Sequence, residues 1–185
     1  ILSGVALLII LGGISYSVLV DLVRHRRFNR FALDSRLVIF MSLALWVLGT
    51  VALFLFELGN DATLKGLPLN QQLMDSFFQS VSGRTAGFSS IDFGATEQHT
   101  NFFFIGLMFI GGASGSTASG IKVNTVAVIL VAVLASIQSR PHVEAFGREI
   151  SARQVQRALT IGVLGLLAVF VVAVLLTLAE GFPFI

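Results

Sequence analysis

Residues 82–90 read SGRTAGFSS, and within it Arg84 to Phe88 has one glycine, Gly87, beside small neighbours and a single phenylalanine. A site that strips water from a cation needs consecutive backbone carbonyls turned toward one axis. A glycine free to adopt positive φ lets its neighbours share that direction. In Arg84-Thr85-Ala86-Gly87-Phe88 the donors of such a filter would be the carbonyls of Thr85, Ala86, Gly87 and Phe88. The preceding residues 69–82 have the spacing of an amphipathic helix, with Leu73, Phe77, Phe78 and Val81 apolar and Asn70 as the expected N-cap. Such a helix is too short to cross a bilayer. It suits a re-entrant segment whose negative C-terminal end points at a cation. The competing reading is an external loop that contains one glycine.

A second polar run, GGASGSTASGIK, covers residues 111–122. A glycine in a helix interior costs up to about 1 kcal/mol relative to alanine, so Gly111, Gly112, Gly115 and Gly120 together favour an unwound loop. At membrane depth such backbone is tolerated only where protein or a water-filled cavity satisfies it. Four readings follow. Gly111 and Gly115 form a GxxxG pair that would allow tight helix packing. A phosphate loop fails, because Ile121 separates Gly120 from Lys122. Gly112-Ala113-Ser114-Gly115 resembles the GxSG nucleophile motif of rhomboid intramembrane proteases. That chemistry needs a general base, and His25, His99 and His142 all lie in polar segments or at a span edge. The fourth reading is a gate, in which the flexible backbone of Gly111, Gly112, Ser114, Gly115, Ser116, Thr117, Ser119 and Gly120 blocks or opens a path beneath the filter. Lys122 is the one base in this apolar surrounding, placed to orient the loop, repel cations or reach toward the cytoplasm.

Both runs need apolar segments to hold them. The 185 residues are 55% hydrophobic and 12% charged, with a mean hydropathy of +0.90; soluble domains carry roughly twice that share of charge. Cysteine is absent, which excludes disulfide and thiolate–metal frameworks. The expected spans are residues 1–20, 37–56, 100–136 and 158–179, since about 20 apolar helical residues cover a bilayer core. The third is too long for one simple crossing, at about 55 Å as a single helix, and the glycine-rich run interrupts it. Residues 21–36 hold five arginines against two acids, and residues 138–157 hold four arginines against two. Residues 57–99 invert the balance, with five acids against two bases. The positive-inside rule places the arginine-rich segments in the cytoplasm and the acidic one outside. Four crossings and one re-entrant element result. No run interleaves bases with aromatics, so the expected partner is membrane lipid and not nucleic acid. The start at Ile1 without Met, and the end at Ile185 after an apolar run, lead to the expectation of a piece of a longer protein.

The runs FFQSVSGRTAGFSSID and LMFIGGASGSTASGIKV, in that order, resemble the third pore repeat of the Trk/Ktr/HKT superfamily of potassium transporters, most closely the bacterial Ktr-type and Trk-type membrane subunits. The resemblance implies an all-α, polytopic integral membrane protein built from M1–pore helix–M2 repeats like those of potassium channels, with a re-entrant loop and a broken M2 helix. It implies that residues 1–36 end repeat two and add a cytoplasmic loop, that residues 37–138 form repeat three, and that residues 139–185 hold a cytoplasmic linker and the first helix of repeat four. Gly87 would be the filter glycine within Thr85 to Phe88, and residues 111–122 the gating loop. The family loop often reads GSTAGGIK; here Ser119 stands at the middle glycine. The resemblance further implies uptake of K⁺, with Na⁺ a second candidate, across the bacterial inner (plasma) membrane. No enzyme activity and no bound cofactor are expected. A homodimer and a cytoplasmic nucleotide-binding regulatory ring, docked on residues 21–36 and 138–157, complete the picture. One pore loop of four cannot surround an ion, so three others must come from outside this sequence. The alternatives are an intramembrane serine hydrolase acting through Ser114 and a non-transporting membrane scaffold.

Overall fold

Apolar residues in long runs leave the backbone no partner but itself, and the chain answers with helices. The computed structural model describes residues 1–25, 28–84 and 86–180. Among these, α1 (Leu2–Gly13), α2 (Tyr16–Arg24), α3 (Leu33–Glu57), α4 (Leu69–Ser82), α5 (Gln98–Phe109), α6 (Val123–Ile137) and α7 (Ala152–Glu180) follow in order, with 3₁₀ turns at Phe28–Arg30 and Phe93–Ala95. Two units are distinguished, Ile1–Ala127 and Val128–Ile185. Two helices are long and apolar enough to cross a bilayer: Leu33–Glu57, with mean hydropathy 2.5, and Ala152–Ala179, with 3.0.

Several expected boundaries move. Residues 1–20 do not form one span: α1 and α2 are bent by 98°. Ser15 causes the turn, because its hydroxyl accepts from Val18 N at 3.3 Å and so caps a new helix. α3 begins at Leu33 and not Leu37, taking Arg36 inside the helix. Arg36 is buried there, donating to Asn29 O and lying over the Phe28 ring at 5.8 Å. α4 has the expected bounds, but its N-cap is Pro68 and not Asn70. Gln72 within its first turn instead reaches back to Leu64 O and Leu67 O, at 3.1 and 2.9 Å. Residues 100–136 are interrupted as expected, the chain being non-helical between Phe109 and Val123. In the second unit α7 begins at Ala152, six residues earlier than the expected 158. A short antiparallel hairpin, β1 (Glu144–Ala145) with β2 (Arg148–Glu149), departs from a purely helical chain. Its turn residues Phe146 and Gly147 both take positive φ, 52° and 73°, the geometry of a tight two-residue hairpin.

In lipid, helices associate through close packing and not through release of water, and the first unit is built accordingly. A Cβ at Gly49 of α3 would stand 2.2 Å from Ser80 Oγ of α4. Ser80 uses that proximity to donate to Trp46 O at 2.9 Å. Gly83 gives way in the same manner to Phe104 of α5. One buried cluster gathers Val18, Val38, Leu45, Leu107, Ala113 and Val123; a second gathers Leu53, Leu64, Ile91 and Phe104. At the end of α3, Glu57 is fully buried. Its carboxylate accepts from Asn60 Nδ2 and Thr63 Oγ1, both at 2.7 Å, from Glu97 N at 3.0 Å, and from Thr100 Oγ1. Because Glu97 and Thr100 form the start of α5, the carboxylate also meets the positive end of that helix. One side chain thus ties α3, the following loop and α5 together.

Candidate functional site

The segment after α4 turns back on the helix end. Ser82 O accepts from Ala86 N at 3.0 Å and Gly87 N at 3.4 Å. Gly87 has φ +75°, a left-handed conformation that a side chain would oppose. Thr85 lies outside the described residues. Among the described residues no hydrogen bond reaches the carbonyls of Ala86 or Gly87, whereas Phe88 O accepts from Ser82 Oγ. The Phe88 side chain is 60% exposed, so it does not anchor the segment by burial. Gln79, fully buried on α4, does the anchoring. Its amide nitrogen donates to Ser89 Oγ at 3.1 Å and its amide oxygen accepts from Ser90 N at 3.2 Å.

The second run divides into a backbone-tied base and a more exposed arc. At the base, Gly111 N donates to Ile121 O at 2.8 Å, Ile121 N to Phe109 O at 3.2 Å, and Val123 N to Gly112 O at 3.0 Å. Ala113 N donates to Gly13 O at 3.0 Å, bringing in the end of α1. The four glycines serve two purposes. A Cβ at Gly111 would fall 1.7 Å from Ser119 O, and one at Gly112 would fall 2.7 Å from the Ala118 Cβ and 2.8 Å from Gly13 O. Gly115 and Gly120 instead take φ +79° and +80°; nothing lies within 4 Å of a Cβ at Gly115, while one at Gly120 would stand 3.2 Å from Gly111 N and Phe109 O. Ser114, Gly115, Thr117, Ser119 and Gly120 are exposed, while Gly111, Gly112, Ala113 and Ala118 are buried. Ser119 is exposed and outside the positive-φ region, so a side chain there is accommodated.

Hydroxyls and one amine bind the arc. Ser116 Oγ donates to Ala113 O at 2.6 Å, and Thr117 Oγ1 to Gly12 O at 3.2 Å. Lys122 Nζ donates to Ala118 O. Ser114 Oγ lies 2.9 Å from Asn124 Oδ1, and Asn124 Nδ2 donates to Asp34 Oδ1 at 3.0 Å. An amide is no general base, and the histidines are engaged elsewhere. His99 meets Phe56 edge to face with centroids 4.8 Å apart, His142 is 3.1 Å from Glu149, and His25 is 3.7 Å from Asp21.

The two runs meet at one cavity. A cleft of about 630 Å³ is lined by Ala86, Phe88 and Ser89 from the first run and by Thr117 and Ala118 from the second, with α1 as a further wall. Sequence reasoning missed Glu57, Gln79 and the Asp34–Asn124–Ser114 chain. A glutamine four residues after Asp75, next to Phe77 and Phe78 in an amphipathic helix, was the one local signal for Gln79.

Apolar helices of spanning length, with glycine-rich backbone kept unwound beside a cleft, place the chain among membrane proteins of the channel and transporter class. It matches the family described as TrkH, cation transport protein, over residues 1–182. The chain belongs to that family, which comprises transporters and not enzymes. It is 39% identical over 181 residues to the Ktr system potassium uptake protein B of Bacillus subtilis, covering 98% of this chain and 41% of that protein. It is 35% identical over 179 residues to the potassium/sodium uptake protein NtpJ of Enterococcus hirae, covering 97% and 40%. Among solved structures, the potassium transporter TrkH from Vibrio parahaemolyticus shares the fold with a TM-score of 0.71 at 21% identity, over 96% of this chain and 39% of that one. The chain therefore spans about two fifths of the length of these relatives.

Proposed function

We propose that this chain forms one pore repeat, with parts of its neighbours, of a transporter that takes up K⁺ across the bacterial inner membrane. In this reading α3, α4 and α5–α6 are the M1, pore and M2 elements, and residues 82–90 form a re-entrant filter. Thr85, Ala86, Gly87 and Phe88 would supply carbonyl oxygens to the ion. Phe88 O, which already accepts from Ser82 Oγ, would do so with its second lone pair. The segment 111–122 would gate the path. The observation that carries the reading is the shared cleft, where the filter segment and the glycine-rich arc line one space. The names of the relatives support K⁺ as the ion, and that of the Enterococcus protein keeps Na⁺ as a second. Completion of the pore by three further loops, a homodimer, and a cytoplasmic regulatory ring near residues 21–36 and 138–157 belong to the same proposal.

Its physical content is replacement of hydration by carbonyl oxygens. Gly87 holds the turn by a conformation that serine adopts only at a cost of about 1–2 kcal/mol. Gly87→Ser in a transporter carrying this chain is expected to change K⁺/Na⁺ preference, and removal of residues 112–119 to raise flux. Uptake in cells lacking other K⁺ systems measures both. Indifference of flux and selectivity to both changes would refute the assignment.

A further inference from the structure

We propose that Arg84 is a positioning residue that couples the filter segment to the gating loop, holding the loop's base closed from the filter side. The inference rests on the transport reading above. Arg84 directly precedes the filter carbonyls in sequence, yet its guanidinium is spent on the other run. The residue is 6% exposed. Its Nη2 donates to Gly111 O at 2.8 Å, and its Nε approaches Ile110 O at 3.5 Å. Those carbonyls follow the last turn of α5, where the negative end of the helix dipole and its unpaired acceptors collect, so a cation there is stabilised. Gly111 is also the residue whose N–H closes the base on Ile121 O. Arg84 therefore fastens one side of the rung that the loop must break to leave its place.

The cost of the arrangement argues that it does more than fill space. Among the described residues no carboxylate lies within ion-pair distance of Arg84. An uncompensated charge at membrane depth is expensive, and an apolar side chain would pack there without that penalty. Five N–H donors need partners. A void of about 20 Å³ bordered by Arg84, Ser42, Trp46 and Gly112 is large enough for one water molecule to serve another of them. Movement of the loop's base would carry Gly111 O away. Arg84 must then release it or follow, and following displaces the filter segment attached to it.

The test uses the whole transporter that carries this chain, reconstituted in liposomes, with K⁺ and Na⁺ flux measured separately. Arg84→Gln removes the charge and is expected to raise K⁺ flux about tenfold, the shift that loss of one charge-assisted hydrogen bond from the closed arrangement implies. Arg84→Lys keeps the charge with fewer donors and should give a smaller rise. The deciding arm repeats both substitutions in a protein lacking residues 112–119. If Arg84 acts through the loop, neither substitution adds to the flux already released, a non-additive cycle. Additive effects would show that Arg84 acts on the filter alone and would overturn the coupling, as would unchanged flux in the intact protein. Where Arg84→Gln fails to accumulate in the membrane, Arg84→Lys decides the same comparison alone. Absence of K⁺ flux from the unsubstituted protein would overturn the transport reading itself, and the coupling with it.

Discussion

Gly111→Ala tests the tied base directly. The added methyl would stand 1.7 Å from Ser119 O, a backbone atom that no rotamer change can move. Ordinary contact begins near 3.4 Å, so the two backbones must part by about 1.7 Å. That separation takes Gly111 N beyond reach of Ile121 O, now at 2.8 Å, and displaces the carbonyl that Arg84 Nη2 holds at 2.8 Å. Overpacking costs about 1–3 kcal/mol, a lost neutral hydrogen bond about 1, and a lost bond to a charged group about 2. The closed base would thus lose at least about 4 kcal/mol, or roughly a thousandfold in its population relative to an open one. On the transport reading, the assay is K⁺ flux into liposomes through the whole transporter that carries this chain, together with its thermal melting in detergent. The expected result is higher unregulated flux and a lower melting temperature. Gly106→Ala is the control, since nothing lies within 4 Å of its Cβ position and alanine is the better helix former. Gly111→Ala with the flux and melting of the control would show that the close approach to Ser119 does not exist.

Two further substitutions probe the supports around the site. Glu57→Gln turns an amide N–H toward groups that already donate, in a residue with no exposure. A loss of about 2–4 kcal/mol is expected, read as a lower melting temperature, and an unchanged melt would refute the staple. Gln79→Leu keeps the volume but releases Ser89 and Ser90, so K⁺/Na⁺ preference should fall even where residues 112–119 are absent. Preserved preference would show that the filter segment holds its shape without the amide.

What could be read in the sequence was local. The bounds of α4 followed from apolar spacing over 14 residues, and clustered glycines marked where helix gives way between Phe109 and Val123. What depended on a distant partner could not be read. The bend after α1 leaves Gly12 O and Gly13 O to accept from Thr117 and Ala113, and no pattern within residues 1–20 announces those donors. Glu57 reads as the charged stop of a span, but the groups that make its burial tolerable include Glu97 N and Thr100 Oγ1, 40 and 43 residues further on. The same holds within the loop. Four glycines look alike in sequence, and only the atoms opposite them separate Gly111 and Gly112, needed for close approach, from Gly115 and Gly120, needed for left-handed backbone.

That division explains how an unwound segment can be both stable and movable. Backbone at membrane depth must find acceptors and donors, and at the base Gly111, Ala113, Ile121 and Val123 all do so with carbonyls of α1, α5 or the loop itself. The arc from Ser114 to Gly120 is mostly exposed, and side-chain hydroxyls and Lys122 hold it. Neutral hydrogen bonds contribute only about 0.5–1.5 kcal/mol each in net terms. Rearranging the arc therefore costs little, whereas opening the base breaks several bonds and frees a buried guanidinium. On the transport reading, small movements of the arc would tune passage while the base sets the threshold for full opening. A substitution confined to the arc and one confined to the base should then differ in magnitude and not only in degree of folding.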